Sequence, residues 1–396
     1  MPDTNIITPP VTETVGIRKV DVNRGALDGS VSSQWWTRPD DQRFLTLEAL
    51  KASLEERKAR SKAIVFDTAD LQVRADFEED DSLWAEYGGA KLDPTHWSFG
   101  QLCQRVTAPA QQLRSDVPGF VAALYVQARL QRTEKEQLGM MQIDHGDRTE
   151  LRAITGPTYG RVWDADVAAL VERITADGTW KVPGVINWNT GQYDPDAPIT
   201  KQSTTLYASD RDVFIFMCRD QYPIEVGKLA DGSPDYIFPG FIVANSEVGS
   251  MSLTLETMYL RGICQNRNLW GVEDKQTVRM RHSSGLPSRL VREFMPKLED
   301  FSKTSASTVA AKVRAAKSAR AGDDDGEVKE FLRRKGFGQQ ESKDILETVL
   351  NMEGRPARSI WDIVQGATAR ARDSVHQDAR VQKERAAGAL MDLIKV

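Results

Sequence analysis

Asn245, Ser246, Glu247 and Gly249 stand together between two apolar runs of a 396-residue chain. At a sheet end, such a cluster could ligate a cation through the Glu247 carboxylate. It could equally hold a ligand or a phosphate backbone through amide, hydroxyl and main-chain N–H groups. The same residues also spell a turn, because Asn and Ser bond nearby backbone and Gly supplies a positive φ. Asn266 and Asn268, close to Cys264, admit the same two readings. A second candidate is the basic stretch holding Arg279, Arg281, Arg289, Arg292, Lys297, Lys303, Lys312, Arg314, Lys317 and Arg320. Only Glu293, Glu299 and Asp300 oppose it, in a chain of net charge −5. It reads either as a solvated helix face or as a phosphate-tracking surface.

Chemistries that depend on fixed spacing find no counterpart. Gly227-Lys228 is followed by Leu229 and lacks the upstream glycines of a phosphate loop. There is no Gly-x-Gly-x-x-Gly and no Gly-x-Ser-x-Gly elbow. His96, His145, His282 and His376 share no metal-ligand motif. Cys103, Cys218 and Cys264 are far apart and odd in number, and we read them as reduced, buried thiols. We therefore expect no catalytic residues, no metal and no cofactor.

The elements that must position these groups are legible in outline. Phe241–Ala244 reads as a buried strand, and Leu253, Leu255, Thr257 and Tyr259 alternate with polar positions as a half-buried one. This hairpin is expected at the centre of the main sheet, beside strands Thr205–Ala208 and Asp212–Arg219 and a further one at Thr277–His282. Leu47, Leu50 and Leu54 mark one face of an N-terminal helix. Ala63–Phe66 and Leu71–Val73 are strand-like, and Asp76–Asp81 is an acidic loop. Ser98 with Gln101 spells a capping box for a second helix. Asp116 and Pro118 open a third, whose buried face should carry Val117, Phe120, Val121, Leu124 and Ala128, with Gln131–Gln137 as an exposed extension. Asp164 and Gly178 bound a fourth helix, and residues 181–203 read as a long loop. Helices are expected again at Ser307–Ala319, Glu327–Lys335 and Glu341–Asn351, and from Ser359 through the tail.

The fold class is thus α+β: a mainly antiparallel sheet from about residues 150–282, N-terminal packing helices and a C-terminal helical region. The expected divisions are a flexible arm (1–30), an α+β core domain (31–300), a basic helix with an acidic hinge (301–326) and a helical region (327–396). Hydrophobic content of 40% and charged content of 28% describe a soluble globular chain. The opening MPDTNIITPPVTETV does not read as a secretory signal, and no apolar run reaches the roughly 20 residues of a membrane helix.

Four blocks carry a resemblance: SQWWTRPDDQRFLTLEAL (Ser33–Leu50), LDPTHWSFGQLCQRVTAPAQQLR (Leu92–Arg114), FPGFIVANSEVGSMSLTLETMYLRGICQN (Phe238–Asn266) and SIWDIVQGATARAR (Ser359–Arg372). Together they resemble the phage- and plasmid-like proteins grouped as domain of unknown function 932. The Asn-Ser-Glu-Val-Gly turn and the later Cys-Gln-Asn are the most specific part. Where the family has Asn-Gly after the cysteine, this chain has Gln265-Asn266-Arg267-Asn268. The resemblance implies a mobile-element protein in a bacterial cytoplasm and carries over no catalytic residues.

The expected function is a non-enzymatic DNA-metabolism protein that binds single-stranded DNA, an annealing or protection factor acting as a homo-oligomer. Arg279, Arg281, Arg289, Arg292, Lys297, Lys312, Arg314, Lys317 and Arg320 are its expected contacts. Two alternatives stand beside it. One is a structural or interaction protein with a phage or host protein partner. The other is a metal-assisted nuclease using Glu247.

Overall fold

The computed structural model describes residues 40–76, 82–187, 192–194, 196, 198–201, 203–219, 221, 223–228, 232, 234–261, 267–268, 278–286, 289, 292–293, 296, 300, 306–371 and 386–394. The expected N-terminal arm, most of the acidic loop, Cys264, Gln265, Asn266, Lys297, Lys303 and the tail helix beyond Ala371 up to residue 385 lie outside them. Among the described residues, no helix is long and apolar enough to cross a membrane.

In chain order the elements are β1 (Arg43–Phe44), α1 (Leu47–Ala59), β2 (Ser61–Asp67), β3 (Leu71–Ala75), β4 (Leu83–Tyr87) and β5 (Ala90–Pro94). Next come α2 (His96–Arg105), α3 (Ala110–Ser115), α4 (Gly119–Arg132), β6 (Gln137–Asp144), β7 (Thr149–Thr155) and α5 (Asp164–Thr175). Then follow β8 (Val185–Asn187), β9 (Gln192–Asp194), β10 (Leu206–Ala208), β11 (Val213–Cys218), β12 (Ile224–Lys228), β13 (Pro234–Asn245) and β14 (Leu253–Arg261). After β15 (Arg267–Asn268) and β16 (Val278–Met280) the chain is helical: α6 (Ala306–Ser318), α7 (Asp325–Arg334), α8 (Gln339–Glu353) and α9 (Ile360–Ala371). The class is α+β, with N-terminal helices and a C-terminal helical region as expected.

The chain divides into two compact units. The first holds Glu55–Arg161 together with Glu247–Ser250; the second holds the described residues up to Leu54, Val162–Ser246 and those from Met251 onward. The first unit is built on a six-stranded sheet in the order β2-β6-β7-β5-β4-β3, antiparallel except for the β5–β7 pair. This sheet is not foreseen as a unit from the sequence, where Ala63–Phe66, Leu71–Val73 and Arg152–Thr155 read as strands and Gln131–Gln137 reads as an exposed helical extension. β6 escapes because QLGMMQID lacks β-branched residues over most of its length. The core under the sheet joins Phe66, Leu92, Phe99, Leu138 and Leu151 to the helices. Gln127 on α4 closes part of the β3 edge by accepting a hydrogen bond from the Val73 amide at 2.7 Å.

Two helix readings need correction. The N-cap of α2 is Thr95, whose hydroxyl accepts the Ser98 amide, so Ser98 lies inside the helix. Ser98 Oγ instead donates to the Leu151 carbonyl at 2.6 Å. In α4 the buried face is Gly119, Ala122, Ala123, Val126 and Leu130, while Leu124 is 59% exposed. Gly119, Ala122 and Ala123 let this face approach the sheet closely, while Leu124 and Tyr125 are turned to the rim.

The second unit is built on an eight-stranded sheet, with β1-β10-β11-β13-β14-β15 in order, β12 added on β13 and β16 on β14. β13 is central, as the hairpin reading expects. Its run Phe241–Ala244 is buried on both faces: Phe241 and Val243 join Trp180 and the helices, and Ile242 and Ala244 join Phe214 and Phe216. Glu256, expected on a polar face of β14, is buried as well. α6 packs on β12, and α9 packs on both α6 and α8. The acidic run before α7 is a helix start: Asp324 accepts the amides of Gly326 and Glu327, and Glu327 accepts that of Asp323.

Candidate functional site

The Asn-Ser-Glu-Val-Gly segment is almost wholly consumed by contacts within the protein. Asn245, at the end of β13, donates through Nδ2 to the Val162 carbonyl at 3.0 Å and to Asp164 Oδ1 at 2.7 Å. Asp164 is the first residue of α5, so Asn245 ties the central strand to a helix start. Ser246 Oγ donates to the Arg211 carbonyl at 2.6 Å. Glu247 is 1% exposed, and its Oε2 lies 2.9 Å from Arg152 Nη1 and 3.7 Å from Arg57 Nη2. Arg161 donates to the Glu247 carbonyl oxygen. Trp97 Nε1 and Gln101 Nε2 both donate to the Val248 carbonyl, at 3.0 and 2.8 Å. Gly249, at φ +86°, has the conformation the turn requires.

A carboxylate faced by guanidinium groups already has its charge matched within the protein, and the same groups would repel a metal ion. Gln101, expected to cap a helix, spends its amide on this turn and on the Ile154 N–H at 2.9 Å. Cys103 does not offer thiol chemistry: burial pushes its pKa up to about 12, against the opposing charge of Arg114. Among the described residues, no three His, Cys, Asp or Glu side chains converge as a metal site requires.

Among the described residues, the cations of the basic stretch do not form one surface. Lys312 leaves the set, because it is only 6% exposed on the inner face of α6 and lies 3.8 Å from Asp392. Arg289 is bound to Glu293 at 2.7 Å, and Arg292 reaches the same carboxylate at 3.8 Å. Arg279 and Arg281 are exposed at and just beyond β16, and Arg314 is exposed on α6. Lys317 and Arg320 come together with residues that the sequence reading passed over.

These two line a cleft of about 490 Å³ with Lys228, Arg355, Arg358, Ser318, Ser359, Glu353, Trp361 and Asp362. Lys228 ends β12, Lys317 and Arg320 come from the end of α6, and Arg355 and Arg358 precede α9. Lys317 Nζ donates to the buried Asp235 at 2.8 Å and lies 5.9 Å from the centre of the Trp361 ring. It reaches them past Gly227, where φ is +138° and an added Cβ would sit 3.0 Å from Nζ. Arg355 grips Asp362 with two bonds of 2.9 and 2.7 Å, and the Arg358 and Ser359 amides each add one at 3.0 Å. Burial pushes the Asp362 carboxyl up, and these four donors outweigh it, holding its pKa below the ordinary carboxylate range. Arg358 pairs with Asp325 at 2.8 Å and Arg320 with Asp323 at 2.7 Å. In sequence, the only signal for the missed arginines is Arg355-Pro-Ala-Arg358 ahead of a Ser-capped helix start.

No curated protein and no solved structure matches this chain. The family model described as Domain of unknown function (DUF932) matches residues 196–382. That span contains the whole cleft and the Asn245–Gly249 turn, but not Arg57, Arg152 or Arg161, which engage Glu247. The two earlier blocks of resemblance, Ser33–Leu50 and Leu92–Arg114, also fall outside it. Over residues 196–382, the chain is similar to the DUF932 family.

Proposed function

We propose that this protein binds single-stranded DNA without altering it, as a DNA-metabolism protein of a phage or plasmid, and that the cleft beside α6 and α9 receives the phosphates. One observation carries the reading: five cations, Lys228, Lys317, Arg320, Arg355 and Arg358, converge from three separate segments on one concavity. Arg314 extends the track, since it lies one helical turn before the cleft residue Ser318.

The acids around the cleft do not prevent anion binding. Arg320 and Asp323 are 58% and 81% exposed, and such pairs are worth only about 0–1 kcal/mol, so a phosphate can displace the carboxylate. Lys228 is exposed at the rim. Trp361 is buried and serves as floor rather than as a stacking platform. Binding should therefore be governed by backbone charge and show little sequence preference.

The test is fluorescence anisotropy with a labelled oligothymidylate over a range of salt, comparing wild type with the triple variant Lys228→Ala, Arg314→Ala, Arg320→Ala. At about −0.7 per phosphate contact, the variant should flatten the salt dependence by up to about 2 units. An unchanged slope and affinity in the folded variant excludes the cleft. Failure of the wild type to bind at low salt excludes the DNA reading and favours a role in protein interaction.

A further inference from the structure

The first unit contains a separate polar cleft, of about 540 Å³, lined by Lys91, Asp93, Asp144, Gly146, Asp147, Arg148 and Thr149. It lies where β5 runs parallel to β7, next to the loop that joins β6 to β7. Leu92 turns into the core, so its neighbours Lys91 and Asp93 belong to the opposite face of the strand. Asp93 is 8% exposed, and its Oδ1 is buried without any hydrogen-bond donor. A carboxylate removed from water with an unbonded oxygen is costly unless something outside the chain supplies charge or N–H groups.

The surroundings narrow what that is. Asp144 and Asp147 add two exposed carboxylates, and Asp144 Oδ1 already accepts the Gly146 amide at 2.7 Å. Of the two cations that line the cleft, Lys91 is placed over the Trp84 ring at 4.0 Å, and Arg148 is exposed. Among the described residues, no three acidic, His or Cys side chains converge at metal-ligand range, and the cavity is much larger than one bare ion. A multi-atom cation suits a cleft of this size better, because it carries its own N–H donors and spreads its charge. A volume of this size is also ordinary for a small-molecule site.

We propose that this cleft binds an organic cation, an alkylammonium or guanidinium group, with Asp93 as its buried acceptor and Asp144 and Asp147 as its outer carboxylates. The shared chemistry could come from a free polyamine or from a basic side chain, and the experiment separates these. Isothermal titration calorimetry on the full chain would use spermidine, N-acetylargininamide and magnesium chloride as probes. At least one organic probe should bind the wild type, and spermidine alone or N-acetylargininamide alone would identify the source.

Asp93→Asn should weaken that binding at least tenfold, with circular dichroism reporting the fold. Should Asp93→Asn fail to fold, the double variant Asp144→Asn, Asp147→Asn keeps the test intact. Those side chains are exposed, so the variant should fold and bind severalfold more weakly. No binding of either organic probe to folded wild type overturns the proposal. So does undiminished binding by both variants, or by the double variant alone where Asp93→Asn does not fold, or displacement of the organic probe by equimolar magnesium.

Discussion

The Asn245–Gly249 turn and the cleft beside α6 and α9 both concentrate polar groups, and they treat them in opposite ways. In the turn, Asn245, Ser246 and Glu247 are withdrawn from water, and each meets a donor or acceptor of fixed geometry. In the cleft, Lys228 and Arg320 are exposed, and Arg320 and Arg358 pair with surface acids, whereas Lys317 and Arg355 are held by the buried Asp235 and Asp362. Burial converts charge into architecture, because removing one partner strands the other in a poor solvent for ions. Exposure leaves charge available to an incoming ligand at low cost. By this criterion the turn, although the most specific part of the sequence, is built as structure, and the exposed cations of the less distinctive cleft are the part that we propose as a binding surface.

The sharpest way to break the comparison is Glu247→Ala. It leaves Arg152, itself 2% exposed, without the nearest carboxylate, and a loss of about 3–5 kcal/mol is expected in urea denaturation. Glu247→Gln retains an acceptor and should lose less, about 1–2 kcal/mol. If Glu247→Ala costs under about 1 kcal/mol, the turn is not the structural element described above.

Next in size is Asp362→Asn, which tests the one buried anion of the cleft. It weakens the Arg355 grip and should cost about 1–3 kcal/mol at neutral pH. Because the folded carboxyl is held below its ordinary pKa, its contribution is complete above the unfolded value and is lost as pH falls through the folded one. The gap between wild type and variant should therefore close on acidification below about pH 5. A gap that stays constant down to pH 3 would contradict the assigned direction.

Smaller again is Gly227→Ala. It combines an unfavourable φ with a contact that Lys317 must yield, for an expected loss of about 1–2 kcal/mol and weaker DNA binding. Thermal melts and anisotropy on the same preparation would show whether the two effects travel together. The smallest effect belongs to the triple variant at Lys228, Arg314 and Arg320, whose stability should stay within about 0.5 kcal/mol of wild type. A larger loss would mean that these cations are structural after all, and would erase the contrast.

Strands and helices whose apolar spacing repeats were legible along the chain. The central hairpin, the all-apolar β11 and the Leu47-Leu50-Leu54 face of α1 follow from periodicity alone, which depends only on backbone geometry. Position-specific roles were not. Gln101 looked like a capping residue and instead bridges a turn and a strand; Lys312 looked like a phosphate contact and lies inside a helix interface. What the sequence determined by itself was the α+β class, the polar turn between two strands and the excess of basic residues in one stretch. What only the tertiary structure decided was which charges are buried and which meet. The Glu247 partners lie 86 to 190 residues away along the chain, and the cleft gathers Lys228 with Arg358. Side-chain burial is set by the packing of distant segments, and no local pattern encodes it.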